Sequence, residues 1–189
     1  ASDSNVTGTL RLFEASLTDS APFDKAIEGC VGLLHIASVV SSKDIPASEF
    51  VNTAVNGTLA ALDAAKNAKT VKRVVVTSSV SSIYPSKEKG KIKKYTENDW
   101  NNVATEEYCT YAYSKVKAEE ATIVWFERQK VKPFRYSSVH FPGTFGPQQN
   151  ARLTSSQMVP ATLLKNQFPL IAPMSLNIID VRDVARGHV

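Results

Sequence analysis

Short runs of apolar, β-branched residues alternate along this chain with longer segments in which alanine and leucine recur at helical spacing. That alternation is the signature of βαβ units and a parallel sheet. The run Val71-Lys72-Arg73-Val74-Val75-Val76-Thr77 predicts a strand, because β-branched side chains pack well on a pleated surface. Residues 10–15, 31–37, 134–141 and 176–180 read as further strands. The second of these is continuously apolar, as a sheet covered on both faces requires. Helices are predicted over 21–28, 48–69, 106–130 and 155–165. Thr18-Asp19-Ser20 supplies the cap of the first, and Pro22 falls in its first turn, where a missing N–H costs nothing. Pro133 ends the third, and Asp183 can cap a last helix. The order β-α-β-α-β-α-β-α-β predicts a doubly wound sheet, which binds its ligand where strand C-termini meet the topological switch. Ala37, Ser79 and Pro142 each fall just past such a C-terminus.

Composition narrows the class. An apolar fraction of 43% and a charged fraction of 21% over 189 residues are those of one soluble globular domain. No apolar run approaches the length of a membrane helix, and Ala1-Ser2-Asp3-Ser4-Asn5 lacks the layout of a signal peptide. Cys30 and Cys109 read as reduced thiols of an intracellular protein. His35, His140 and His188 are scattered, with no Cys or carboxylate at ligand spacing, so no metal site is expected. Part of the net charge of +4 is local: Lys87, Lys89, Lys91, Lys93 and Lys94 crowd one stretch. Five lysines without an arginine read as a solvated loop rather than a nucleic-acid patch, since arginine is the usual base reader.

The candidate chemistry lies in Thr77-Ser78-Ser79, closing the valine run, and in Tyr111-Ala112-Tyr113-Ser114-Lys115, opening the next long helix. A hydroxyl at a strand end, with a tyrosine and a lysine one helical turn apart, can polarise and protonate a carbonyl. With six tyrosines in the chain, Tyr-x-x-x-Lys arises by chance about once in two such sequences, so the pattern needs its structural context. Two overlapping pairs exist, Tyr111–Lys115 and Tyr113–Lys117. Each pair can meet on a helix, but the two lie on nearly opposite faces, so at most one looks into a given cleft. Ser114 favours the first by completing Tyr-x-x-Ser-Lys. Lys115 is expected to pull the Tyr111 phenol from about 10 toward neutrality, making it a workable general acid. Ser79 would donate a hydrogen bond to the same carbonyl oxygen as charge builds on it.

The chain resembles the extended short-chain dehydrogenase/reductases, nearest the dihydroflavonol reductases, cinnamoyl-CoA reductases and fungal aldehyde/ketone reductases. The resemblance runs in family order through Phe23–Cys30, His35-Ile36-Ala37-Ser38, Val55-Asn56-Gly57-Thr58, Val74–Ser79, Tyr111–Lys115 with Ala118-Glu119, Phe141–Pro147 and Ile179–Ala185. It implies a Rossmann-type fold with Tyr111 as proton donor, Lys115 on the nicotinamide ribose and Ser79 as the catalytic serine, with Ser78 the alternative if the register slips by one. It also implies cofactor contacts from Ser16 and Leu17 at the adenine, from Ile36, Ala37 and Ser38 along the pyrophosphate and ribose, and from Pro142, Gly143 and Thr144 beside the nicotinamide. Asn56 would support a water near Lys115. The cofactor implied is NADP or NAD, with NADP favoured.

Two positions depart from the family pattern: Ser16 replaces an aspartate, and Val39 stands where many relatives have proline. No G-x-x-G-x-x-G loop occurs in the 189 residues. The expected organisation is therefore a partial dinucleotide-binding domain over 1–150 and the start of a substrate-binding region over 151–189, within a longer polypeptide. These 189 residues alone are expected neither to hold NAD(P)H nor to turn over. The function implied is NAD(P)H-dependent reduction of a small-molecule aldehyde or ketone by a cytoplasmic monomer or homodimer, without nucleic-acid or membrane partners. A nucleotide-sugar epimerase or dehydratase is the nearest enzymatic alternative. A catalytically silent Rossmann-like subunit is the alternative from another class.

Overall fold

The computed structural model describes residues 8–19, 21–40, 45–85, 94–148, 155–167 and 176–189. Helices α1 (Ala21–Ile27), α2 (Ala47–Ala68), α3 (Thr110–Glu127), α4 (Ser155–Leu164) and α5 (Val181–Gly187) alternate with the strands. The strands are β1 (Gly32–His35), β2 (Arg73–Ser79), β3 (Arg135–Phe141), β4 (Gly143–Phe145) and β5 (Ile178–Asp180), and a 3₁₀ turn, Val80–Ser82, follows β2. Strands β1, β2 and β3 form a parallel sheet in that order, while β4 and β5 form a separate parallel pair. The register sets His35 beside Val76 and Ser79 beside Phe141. The C-terminal ends of β1, β2 and β3 therefore share one edge, the ligand side of such a sheet.

Helix α2 forms because Phe50, Val51, Ala54, Thr58, Ala61, Leu62 and Ala65 recur on one buried stripe. It stops at Lys69, which takes the left-handed conformation (φ 58°) and returns its N–H to the Lys66 carbonyl. Gly57 sits where Leu17 crosses the helix: a Cβ there would lie 2.8 Å from Leu17 Cδ2. Helices α2 and α3 are joined by Trp125 Nε1, which donates to Asp63 at 2.9 Å. The core beneath them gathers Ile27, Leu62, Ala64, Ala65, Val71, Val74, Val76 and Phe134. Trp125 and Phe126 close one end over Phe134, with ring centroids 5.9 and 5.5 Å away. Among the described residues no helix is long and apolar enough to cross a membrane.

Several boundaries differ from the sequence expectation. Residues 10–15 are not a strand: they carry no ladder, and Leu10 and Leu12 are more than four-fifths exposed, at 82% and 86%. Strand propensity is realised only against a hydrogen-bonding neighbour, and no described strand lies beside this segment. Among the described residues no strand pairs with the outer edge of β1, and β1 flanks an apolar groove of about 340 Å³ lined by Phe23, Ile27, Cys30, Leu34 and Ile36. Helix α3 begins at Thr110 rather than at 106, because Cys109 adopts the left-handed conformation (φ 61°). Asp180, not Asp183, caps α5, accepting the Arg182 N–H at 2.8 Å. Strand β4 was not expected. Pro142, which has no N–H to give, separates it from β3, and past that break the chain pairs with β5 instead. The cap predicted for α1 does form through Asp19, which accepts the Ala21 N–H at 3.1 Å. Of the lysine cluster, positions 87, 89, 91 and 93 lie outside the described residues.

Candidate active site

Strand β2 ends on a backbone that turns sharply. Ser79 is extended (φ −150°, ψ 148°) and caps the 3₁₀ turn, its Oγ accepting the Ser81 N–H at 3.1 Å. Ser82 Oγ donates back to the Ser79 carbonyl at 2.8 Å. From the far side, Asn101 Nδ2 donates to the Ser81 carbonyl at 2.8 Å, while its Oδ1 accepts the N–H groups of Val103 and Ala104. Three hydroxyl or amide side chains thus add to the backbone bonds of the turn, in which the Ile83 and Tyr84 N–H groups donate to the Val80 carbonyl.

Helix α3 brings Tyr111 and Lys115 to this turn. Ser114, fully buried, donates to the Tyr111 carbonyl at 2.7 Å. The Ser79 side chain is the polar group that acts on the Tyr111 phenol. Lys115 Nζ lies 5.8 Å from the Tyr111 ring centroid and donates to the Thr77 carbonyl at 3.4 Å. The overlapping pair faces away: Lys117 forms an ion pair with Glu120 at 2.8 Å on the surface. Of the two registers, the structure brings Tyr111 and Lys115 to the strand ends.

Burial governs the electrostatics. It pushes the Tyr111 phenol above its usual value, and the Ser79 side chain pulls it part of the way back. The expected drop toward neutrality caused by Lys115 is therefore not realised, because desolvation of the phenolate outweighs an ammonium turned toward Thr77. Burial likewise lowers Lys115 to about 8, with Glu119 one turn on opposing the shift. His35, buried at the end of β1, is lowered to about 4, first by desolvation and then by the charge of Lys115. His35, Ala37, Ser38, Thr77, Ser78, Lys115 and Glu119 line a crevice of about 10 Å³.

His35 carries a prediction about acid stability. Between pH 6.5 and 4 the unfolded chain protonates this ring and the folded chain does not, so stability falls as pH drops through that window. The loss by pH 4 is expected to reach about 3 kcal/mol. Urea denaturation across this range should show a markedly shallower acid limb in His35→Leu. Equal limbs in the two proteins would assign the loss to other groups.

The remaining expected residues divide. Ala37 and Ser38 lie in the crevice with Lys115, while Ile36 is exposed at 59%. Ser16 is engaged in a local turn, with its Oγ 2.9 Å from Thr18 Oγ1, and Leu17 packs toward Gly57. Pro142, Gly143 and Thr144 stand where β3 passes into β4, next to the residue paired with Ser79. Ser78 is buried and points to Ser82 at 3.5 Å rather than to the phenol. Asn56 is exposed on α2, so nothing places it near Lys115. Sequence reasoning missed Ser82, Asn101 and His140 as parts of this site. A signal for His140 existed: Ser138 and His140 stand two apart on β3, which puts both on one face of a sheet strand.

Comparison with known proteins adds an independent line. The pattern of the NAD dependent epimerase/dehydratase family matches residues 1–189. The chain is 31% identical over 185 residues to cinnamoyl-CoA reductase 2 of Arabidopsis thaliana, covering 95% of this chain and 53% of that protein. It is 36% identical over 122 residues to a bifunctional dihydroflavonol 4-reductase/flavanone 4-reductase of Malus domestica, covering 59% of this chain and 33% of that protein. Among solved structures, it superimposes on yeast methylglyoxal/isovaleraldehyde reductase complexed with NADPH with a TM-score of 0.80 at 29% identity. That match covers 92% of this chain and 56% of the yeast one. A UDP-glucose 4-epimerase of Thermotoga maritima shares the fold at a TM-score of 0.71 and 17% identity. The chain spans about half the length of the curated relatives it matches.

Proposed function

The chain belongs to the NAD dependent epimerase/dehydratase family, and from that premise we propose that it carries the carbonyl-handling part of an NADPH-dependent reductase of aldehydes or ketones. One arrangement supports the reading: Tyr111, a phenol kept neutral by burial, stands with Ser79 and the buried Lys115 at the C-terminal edge of a parallel sheet. A carbonyl oxygen seated between Ser79 and Tyr111 would receive a hydrogen bond from the serine. As charge grows on it, it would take the phenolic proton. Burial keeps that proton on Tyr111 through the neutral range, which is the state a donor requires. Lys115 would then sit against the phenolate as it forms, when its charge is most useful.

The donor set suits a dinucleotide. Lys115 is 6% exposed, and its one hydrogen bond among the described residues is the long contact to Thr77. The rest of its donor capacity is free for ribose hydroxyls. Ile36, Ala37 and Ser38 would run along the pyrophosphate and ribose, Pro142, Gly143 and Thr144 beside the nicotinamide, and Ser16 and Leu17 near the adenine. When bound, the cofactor supplies the hydride. NADP is favoured because the yeast relative was solved with NADPH. Residues 1–150 would then form part of the dinucleotide-binding domain and 151–189 begin the substrate-binding region. Reduction is preferred over sugar epimerisation because the three reductases named above are 29%, 31% and 36% identical to the chain, against 17% for the epimerase.

The test is direct. The complete protein, purified and given NADPH and a panel of aldehydes and ketones, should consume NADPH with at least one of them, and should not interconvert UDP-glucose and UDP-galactose. Epimerisation of the nucleotide sugar without net NADPH consumption would replace this reading.

A further inference from the structure

Behind the candidate site lies a polar chain that the mechanism above does not use. Glu119 on α3 accepts from Ser138 Oγ on β3 at 2.7 Å, and Ser138 Oγ lies 3.2 Å from His140 Nε2. The other ring nitrogen, Nδ1, is 3.2 Å from the Ser79 carbonyl and 3.1 Å from Ser82 Oγ. Ser82 gives its proton to the Ser79 carbonyl at 2.8 Å, and Ser138 gives its own to Glu119. The Ser79 carbonyl can only accept, so Nδ1 is the ring nitrogen placed to donate to it. Glu119 faces the ring at 4.0 Å, with side chains only 10% and 19% exposed for Glu119 and His140. The imidazole is therefore wedged between α3 and the end of β2, and its inner nitrogen closes on the backbone of Ser79.

We propose that His140 is a positioning residue for Ser79: anchored on Glu119 through Ser138, it clamps the Ser79 carbonyl together with Ser82 and so aims the Ser79 hydroxyl at Tyr111. The proposal rests on the reading of Ser79 as the hydrogen-bond donor to the substrate carbonyl. A carbonyl gripped by two donors cannot rotate about the strand end. The Ser79 side chain leaves the same Cα, so its direction follows the peptide plane. Small displacements of such a group are costly, because the reacting geometry tolerates little error.

The experiment compares His140→Leu, His140→Asn, Ser79→Ala and the double variant Ser79→Ala/His140→Leu in the complete protein. His140→Leu should lower kcat on the order of tenfold to a hundredfold, with KM and NADPH affinity nearly unchanged. His140→Asn places an amide N–H near the Nδ1 position and should recover most of that loss. On the Ser79→Ala background, His140→Leu should cost nothing further, since a residue acting through Ser79 has nothing left to position. Amide exchange gives a readout independent of turnover: the Ser81 N–H, held by Ser79 Oγ, should lose protection in His140→Leu and keep it in His140→Asn. Should the leucine variant not fold, Ser82→Ala removes the hydroxyl half of the same clamp and should give the same pattern. Full kcat in His140→Leu while Ser79→Ala is impaired, or losses that multiply in the double variant, would overturn the proposal. If Ser79→Ala itself retains full kcat, the carbonyl-reduction reading fails instead. The Ser81 exchange then decides the clamp alone: retained protection in His140→Leu refutes it.

Discussion

Tyr111→Phe is expected to lower kcat by a factor on the order of 10² to 10⁴, the span for a lost general acid, while fold and cofactor affinity stay nearly unchanged. The substitution removes one oxygen, on which the Ser79 side chain acts, and keeps the ring against which Lys115 packs at 5.8 Å. A single neutral hydrogen bond contributes about 1 kcal/mol to stability, so the melting temperature should move little. The raised phenol makes the direction of the effect specific. The proton is present throughout the neutral range, so Tyr111 enters the reaction as an acid, and what disappears is proton donation to the product oxygen. Steady-state kinetics, NADPH titration and a thermal melt on the same preparation separate these readouts. A phenylalanine variant reducing carbonyls at the wild-type rate would remove Tyr111 from the mechanism.

Lys115→Met should push activity and stability in opposite directions. The ammonium is held in a buried site that lowers it from 10.5 to about 8. Below pH 8 the folded protein therefore carries a cation that would be better solvated in the unfolded chain. The shift corresponds to about 3 kcal/mol at full effect. Methionine keeps the length and apolar stem without the charge. At pH 7 the variant is expected to be more stable by roughly 1–3 kcal/mol, the range allowing for the Thr77 contact that is lost. As pH rises from 8 to 10.5 the wild-type penalty fades and the two stabilities should converge. Over the same range kcat should be reduced by a factor on the order of 10², with weaker NADPH binding, because the charge beside Tyr111 and the donors for the ribose go together. Such opposition is the usual mark of a functional group kept against the interest of the fold. Destabilisation of Lys115→Met at pH 7, measured by urea unfolding, would show that the folded site solvates the ammonium well.

The local elements were legible because each rests on neighbours in sequence. Val74, Val75 and Val76 announce a buried parallel strand, and the recurrence of Phe50, Ala54, Ala61, Leu62 and Ala65 announces the buried face of α2. Tyr111 and Lys115 could be paired as candidates because four residues span one helical turn. Residues 10–15 have strand composition and no strand, since a ladder needs a partner that composition does not supply. The helix expected from 106 starts at Thr110 because one residue, Cys109, takes a left-handed backbone that a periodicity argument does not register.

By itself the sequence determined the class of fold, the order of its elements, the residue types brought to the strand ends and the family to which they belong. The first three follow from spacing along the chain and from intrinsic preference, and the family from the resemblance carried by motifs such as Val74–Ser79 and Tyr111–Lys115. Only the tertiary structure decided which Tyr–Lys pair turns inward. It also decided that burial raises the Tyr111 phenol rather than lowering it, and that His140, 58 residues from Ser82, closes on the same turn. The physical reason is common to all three: desolvation and hydrogen-bond geometry depend on what packs from other elements, and those neighbours are set by the sheet and not by the chain.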